Sequence, residues 1–236
     1  MAFNTARRSV TSKSPVTGRN IILFPGFASD DRYMIPLRSF LRKKGYEVEG
    51  WGLGVNKAGI QYKAEIKDLG PTWDVDQDKE DRGEAAVPYL CDQATQRVRQ
   101  RADELGKPIT LIGWSLGGYV AREVARELPE EVEQVITMGA PVIGGPKYTT
   151  ASSFFKKRGM DLDWIENEIE KRESRPITQP ITNIFSKTDG VVGWHAALDH
   201  HSPNVEHIEV NAAHLGMGFN QNIWKVIVKS LEDFEG

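Results

Sequence analysis

The stretch Gly113-Trp114-Ser115-Leu116-Gly117 sets a single hydroxyl between two glycines, each two positions away. It follows the apolar run "PITLIG" and precedes "LGGYVAREVARELP", so the serine falls on a strand-to-helix turn, the context in which G-x-S-x-G presents a nucleophile. A serine on so sharp a turn is held in a strained backbone conformation, and Cβ atoms two residues to either side would collide with it, hence the glycines. The first N–H groups of the following helix have no partners, and its dipole favours negative charge at that end. Leu116 N–H is therefore the expected first donor to an oxyanion, and Phe27 N–H, on the turn after "LFPG", the second.

A serine hydroxyl is a poor nucleophile without a base in hydrogen-bond reach, itself oriented by a third group. Asp189 follows "ITNIFSKT" and precedes Gly190; His214 follows "VEHIEVNAA". Both sit at the carboxyl ends of expected strands. An Asp-Gly pair read alone is an ordinary turn; its place after a strand, downstream of the serine, makes Asp189 the candidate acid. Among the five histidines, His200 and His201 lie in a polar stretch and His207 lies inside an expected strand. His214 is the favoured base, because its strand delivers it to the sheet edge that carries Ser115. His195, beside Trp194, is the alternative.

The elements that must position these groups alternate along the chain. Short apolar strands are expected at "RNIILFPG", "YEVEGW", "PITLIG", "VEQVITMGAP", "ITNIFS" and "VEHIEV". Amphipathic helices are expected over 30–45, 84–105, 116–128 and 219–234, and Pro88 is tolerable only in the first turn of its helix. This alternation predicts an α/β protein with a mostly parallel central sheet and helices on both faces. Residues 52–80 read as a long loop, ending in the solvated acidic run "DVDQDKED". The expected organisation is a polar N-terminal leader over 1–18 and one domain over 19–236, with a small cap or lid inserted at about 142–180.

The 236 residues, 39% apolar and 27% charged, suffice for a full core in one domain. With 33 acidic and 30 basic side chains the formal charge is −3, which gives no field to hold nucleic acid or an anionic membrane. Neither nucleic-acid binding nor stable membrane association is expected. Cys91 is the only cysteine, so no intrachain disulfide can form. The first residues carry two arginines but no apolar h-region, and no segment approaches a membrane span. A cytoplasmic location is the expectation. No zinc spacing occurs, and "GWGLG" lacks the strand and helix of a dinucleotide motif, so neither metal nor cofactor is expected.

Taken together, "LFPGFASDDRY", "GWSLGG", "SKTDGVV" and "AAHLGM", in that order over about residues 19 to 233, resemble the α/β-hydrolase superfamily and in particular its small bacterial esterase-like and lipase-like members. "GWGLGVN" and "VITMGAP" carry the same resemblance. It implies the α/β-hydrolase fold and hydrolysis of a small-molecule carboxylic ester through an acyl-enzyme: Ser115 attacks, His214 takes and returns the proton, and Asp189 holds the imidazolium. Many members of the superfamily begin the oxyanion loop with His-Gly where this chain has Pro25-Gly26, and some carry a cysteine pair near the acid and base where this chain has Ala197 and Leu215. Phe27, Leu116, Trp114, Met138, Phe154, Phe155 and Trp164 are candidates for an apolar acyl pocket, against the plainer reading that such aromatics are core. A cap of this size suits short- to medium-chain esters. An acyltransferase or thioesterase would use the same triad, and a hydrolase-like scaffold that only binds is the non-enzymatic alternative. The sequence is silent on oligomeric state.

Overall fold

A computed structural model describes residues 18–234, so the leader expected over 1–18 lies, except for Gly18, outside the described residues. Six strands form one sheet: β1 (Asn20–Phe24), β2 (Glu47–Gly50), β3 (Ile109–Trp114), β4 (Val132–Met138), β5 (Ile181–Phe185) and β6 (Val205–Glu209). Their order is β2-β1-β3-β4-β5-β6, and every neighbouring pair is parallel. Parallel pairing requires a crossover between strands, and the helices supply most of these: α1 (Ile35–Lys43), α2 (Ala86–Leu105), α3 (Leu116–Glu127), α4 (Ser152–Lys157), α5 (Leu162–Glu173) and α6 (Gln221–Asp233).

The four inner strands, β1, β3, β4 and β5, are buried almost throughout because both of their faces are covered, whereas the edge strands β2 and β6 alternate with charged, exposed residues. Alternate residues serve opposite cores. Ile22, Phe24, Leu111 and Val135 pack with Leu90, Val98, Val120 and Val124 of α2 and α3. Ile21, Leu23, Ile112 and Ile136 pack with Leu37, Leu41, Ile223 and Ile227 of α1 and α6. Helix ends follow local chemistry. Asn220 caps α6 by accepting from the N–H groups of Asn222 and Ile223, Asp161 caps α5 in the same way, and α2 stops at Gly106 in the left-handed region. Pro88 falls in the first turn of α2, as it must.

Between β4 and β5 the chain leaves the sheet for a 3-10 turn (Gly145–Tyr148), α4 and α5. A charged network binds this excursion to α3. Arg172 of α5 donates to Glu123 and Glu127, and its guanidinium lies 3.6 Å from the centroid of the Trp73 ring. Arg126 of α3 reaches back to Glu173 at 2.8 Å. Residues 52–80 hold two short 3-10 turns and bury Trp73 and Ile66, while most of the acidic run stays at the surface. No helix among the described residues is long and apolar enough to cross a membrane.

Candidate active site

Ser115 sits between β3 and α3 with φ 55° and ψ −129°, a conformation that L-residues rarely adopt. The elbow closes tightly: a Cβ on Gly113 would stand 2.4 Å from the Gly117 carbonyl oxygen, and one on Gly117 would stand 2.3 Å from the Phe24 carbonyl oxygen. The turn is fixed to the neighbouring strand by Ser115 N–H, which donates to the Met138 carbonyl at 2.8 Å.

His214 Nε2 lies 2.8 Å from Ser115 Oγ, and Nδ1 lies 2.7 Å from Asp189 Oδ2. His214 and Asp189 are both buried, although the loops that carry them leave different strands. The other carboxylate oxygen, Asp189 Oδ1, accepts from Val191 N–H at 2.9 Å and Val192 N–H at 2.6 Å. With the carboxylate so fixed, the proton belongs on Nδ1, and Nε2 is left to accept from the hydroxyl. His214 N–H also donates to the Asp189 carbonyl at 2.8 Å, which locks the two loops together. In this arrangement the imidazole can take the Ser115 proton while the carboxylate stabilises the imidazolium. His195, the alternative base, is exposed, with its ring against Trp194, and makes no hydrogen bond to Ser115 or Asp189.

Phe27 N–H and Leu116 N–H make no hydrogen bond within the described residues, and Phe27, Ser115 and Leu116 line the same cavity. An oxyanion formed at Ser115 would find two unpaired backbone donors, Leu116 N–H at the start of α3 and Phe27 N–H on the loop after β1. Burial pushes the Tyr33 phenol up to about 12, so its O–H stays a donor; it reaches the Leu215 carbonyl at 2.9 Å while its ring stacks on Trp114 at 4.0 Å.

The cavity that opens at Ser115 has a volume of about 350 Å³ and runs beneath the excursion between β4 and β5. Trp73, Val87, Tyr119, Phe155, Met160 and Ile165 form much of its apolar wall. Of the residues expected there, Phe27, Trp114, Leu116, Phe155 and Trp164 do line it. Two do not. Met138, the last residue of β4, is fully buried in the core under α1 and α6 with Ile112, Ile184 and Met217; strand alternation sends its side chain to that face. Phe154 is exposed and stands against Phe27 at the rim, with ring centroids 6.2 Å apart, because neighbouring helix positions diverge and Phe155 takes the inward direction.

Three contributors escaped the sequence reading. Asn56 is completely buried; its Nδ2 donates to the Pro25 carbonyl at 2.8 Å, its own carbonyl accepts from Ala28 N–H at 2.7 Å, and its N–H donates to Ser29 at 2.8 Å. It therefore holds the loop that carries Phe27 N–H. Gly139 has φ 57°, and a Cβ there would stand 2.9 Å from Asp189 Oδ2 and 3.1 Å from His214 Nδ1. Trp73 forms cavity wall from inside an acidic loop, where a large aromatic needing burial was the available signal.

Residues 75–169 match the family model described as a thioesterase domain, a span that includes Ser115, α2 and α3 but not Phe27, Asp189 or His214. A stretch of 50 residues is 38% identical to the biotin biosynthesis bifunctional protein BioHC of Teredinibacter turnerae, covering 21% of this chain and only 9% of that protein. Among solved structures, the chain is similar to mouse alpha/beta hydrolase domain-containing protein 10, with a TM-score of 0.55 and 16% identity over 91% of this chain and 88% of that one. It is also similar to a monoacylglycerol lipase of Paleococcus ferrophilus, with a TM-score of 0.57 and 14% identity over 91% and 96% of the two chains.

Proposed function

We propose that this chain, an α/β-hydrolase by fold, hydrolyses carboxylic esters of a single medium-length apolar acyl group through an acyl-enzyme on Ser115. One observation carries this reading: the unbroken chain of hydrogen bonds from Ser115 Oγ to His214 and on to Asp189, standing at the mouth of an apolar cavity. His214 takes the Ser115 proton as the oxygen attacks the ester carbonyl, and the Phe27 and Leu116 N–H groups receive the oxyanion. His214 then gives its proton to the departing alcohol. A water, deprotonated by the same nitrogen, attacks the acyl carbon and frees Ser115.

The cavity sets the scale of the acyl group. A cavity of about 350 Å³ falls at the lower end of the range for pockets that enclose a small ligand, about 300–1,000 Å³, which suits an acyl chain longer than acetyl. A p-nitrophenyl ester series from acetate to palmitate is expected to peak at octanoate or decanoate, with no turnover by Ser115→Ala. A peak at acetate would refute the acyl assignment of the cavity, and equal turnover by the variant would refute the nucleophile.

The match to a thioesterase-domain model favours a second reading, in which the scissile bond is a thioester. The acyl half of the reaction and every residue role are unchanged; only the leaving group differs. Comparing kcat/KM for octanoyl-coenzyme A and p-nitrophenyl octanoate separates the two readings.

A further inference from the structure

The wall of the acyl cavity carries carboxylates but no cation. Its lining includes two carboxylates, Glu84 and Glu168, and no lysine or arginine. Two cations come close but stay behind aromatic rings. Lys79 lies 4.7 Å from the centroid of Trp164 and Arg172 lies 3.6 Å from that of Trp73; the rings line the cavity and the cations do not.

The two carboxylates differ in how far they are satisfied. Glu84 has a fully buried side chain with both oxygens engaged: Oε1 accepts from Lys79 Nζ at 3.2 Å and Asp161 N–H at 2.9 Å, and Oε2 accepts from Arg82 N–H at 2.6 Å. Glu168 is buried on α5 and has one partner, Lys171 Nζ, 2.7 Å from Oε1. The Lys171 side chain is 61% exposed, so its charge faces water, which screens it, and lies outside the cavity lining. The second oxygen of Glu168 has no protein partner among the described residues.

We propose that this cavity selects acyl chains whose far end is uncharged, and that Glu168 is the specificity-determining residue that turns away a terminal carboxylate. The inference rests on the ester-hydrolase reading of Ser115. Two costs oppose an ω-carboxylated chain. Its charge would lose water without gaining a cation, and it would face a carboxylate already in place in a medium that screens poorly. Rejection of this kind is built by placing a like charge against the unwanted substrate rather than by improving contacts to the wanted one.

The test compares two esters of equal chain length, p-nitrophenyl octanoate and the mono-p-nitrophenyl ester of suberic acid, by kcat/KM at pH 7.5. The wild type is expected to prefer octanoate by about 100-fold or more, the size set by desolvation plus like-charge repulsion. Within each enzyme the octanoate-to-suberate ratio is the readout. Glu168→Gln is expected to lower that ratio at least about fivefold, and Lys171→Ala, which leaves Glu168 without its countercharge, to raise it. Suberate turned over within about tenfold of octanoate by the wild type, or a ratio unmoved by Glu168→Gln, would overturn the proposal.

Failure of the hydrolase reading has a different signature, since octanoate itself would then not turn over. In that event, binding of methyl octanoate and monomethyl suberate to Ser115→Ala, followed by tryptophan fluorescence, decides the selectivity alone. Equal affinity for the two would overturn it.

Discussion

Asp189 divides its two oxygens between two tasks: Oδ1 is bound by the Val191 and Val192 N–H groups, and Oδ2 lies 2.7 Å from His214 Nδ1. The backbone bonds fix the carboxylate so that the imidazole is oriented by a rigid partner. Asp189→Asn keeps the shape but supplies an N–H where an acceptor is required, which favours the wrong tautomer. A fall in kcat of about a thousandfold or more is expected, with an unchanged melting transition. Near-normal kcat in a folded variant would remove Asp189 from the mechanism.

Asn56 gives a prediction of a different kind, because it ties the loop that carries Phe27 N–H to its own loop, where its Oδ1 accepts from Ala58 N–H at 3.1 Å. Asn56→Ser removes the Nδ2 donor to the Pro25 carbonyl and lets that loop relax. Misplacing one oxyanion donor is expected to lower kcat about 10- to 100-fold with little change in KM, since the donor acts on charge that develops only in the transition state. An alkyl boronic acid, which mimics the tetrahedral species, should bind more weakly by a similar factor. A variant with reduced melting temperature but unaltered kcat and boronate affinity would assign Asn56 to stability alone.

The pH dependence of folding is expected to follow Asp199. Its side chain is fully buried 2.6 Å from Arg122 Nη1 and accepts from the His201 and Ser202 N–H groups. Burial by itself would raise the carboxyl; Arg122 and the two backbone donors outweigh it and hold the folded-state value well below the usual aspartate range. A depressed acid contributes stability that is complete above its unfolded value, near 4, and is lost as the pH falls toward the folded value. Asp199→Asn leaves a buried guanidinium short of a partner and should cost about 3 kcal/mol at pH 7. In urea melts, the gap between wild type and variant should narrow steadily from pH 5 to pH 3. A gap that stays constant or widens on acidification would contradict this account of Asp199.

Much of the fold follows from patterns visible in the chain. The run "IILF" is apolar at every position because β1, inside the sheet, is covered on both faces, and the helical stripes and the turn glycines mark what lies between. The candidate nucleophile, acid and base, Ser115, Asp189 and His214, were legible as candidates for a related reason: each sits just beyond a strand, where its chemistry does not fit an ordinary core. Face was harder to read than element. Met138 ends the run "VITM", which shows no alternation, so the chain does not say which alternate set meets the cavity, and Met138 belongs to the other set. Phe154 and Phe155 are adjacent aromatics on a short helix, both beside Phe27, and only the packing of Phe155 with Ala58, Met160 and Leu162 decides which one turns inward. Asn56 and Gly139 act across long sequence separations, on Pro25 and on His214, so nothing near either residue announces the role.

The most direct test of the central claim is to find where an acyl-enzyme mimic forms. The protein would be treated with diethyl p-nitrophenyl phosphate, which phosphorylates an activated serine, and the adduct located by peptide mass mapping. The account predicts one diethylphosphoryl group, on Ser115, absent from Ser115→Ala and formed far more slowly in His214→Ala. No adduct on the folded wild-type protein, or an adduct on another residue that persists in Ser115→Ala, would contradict it.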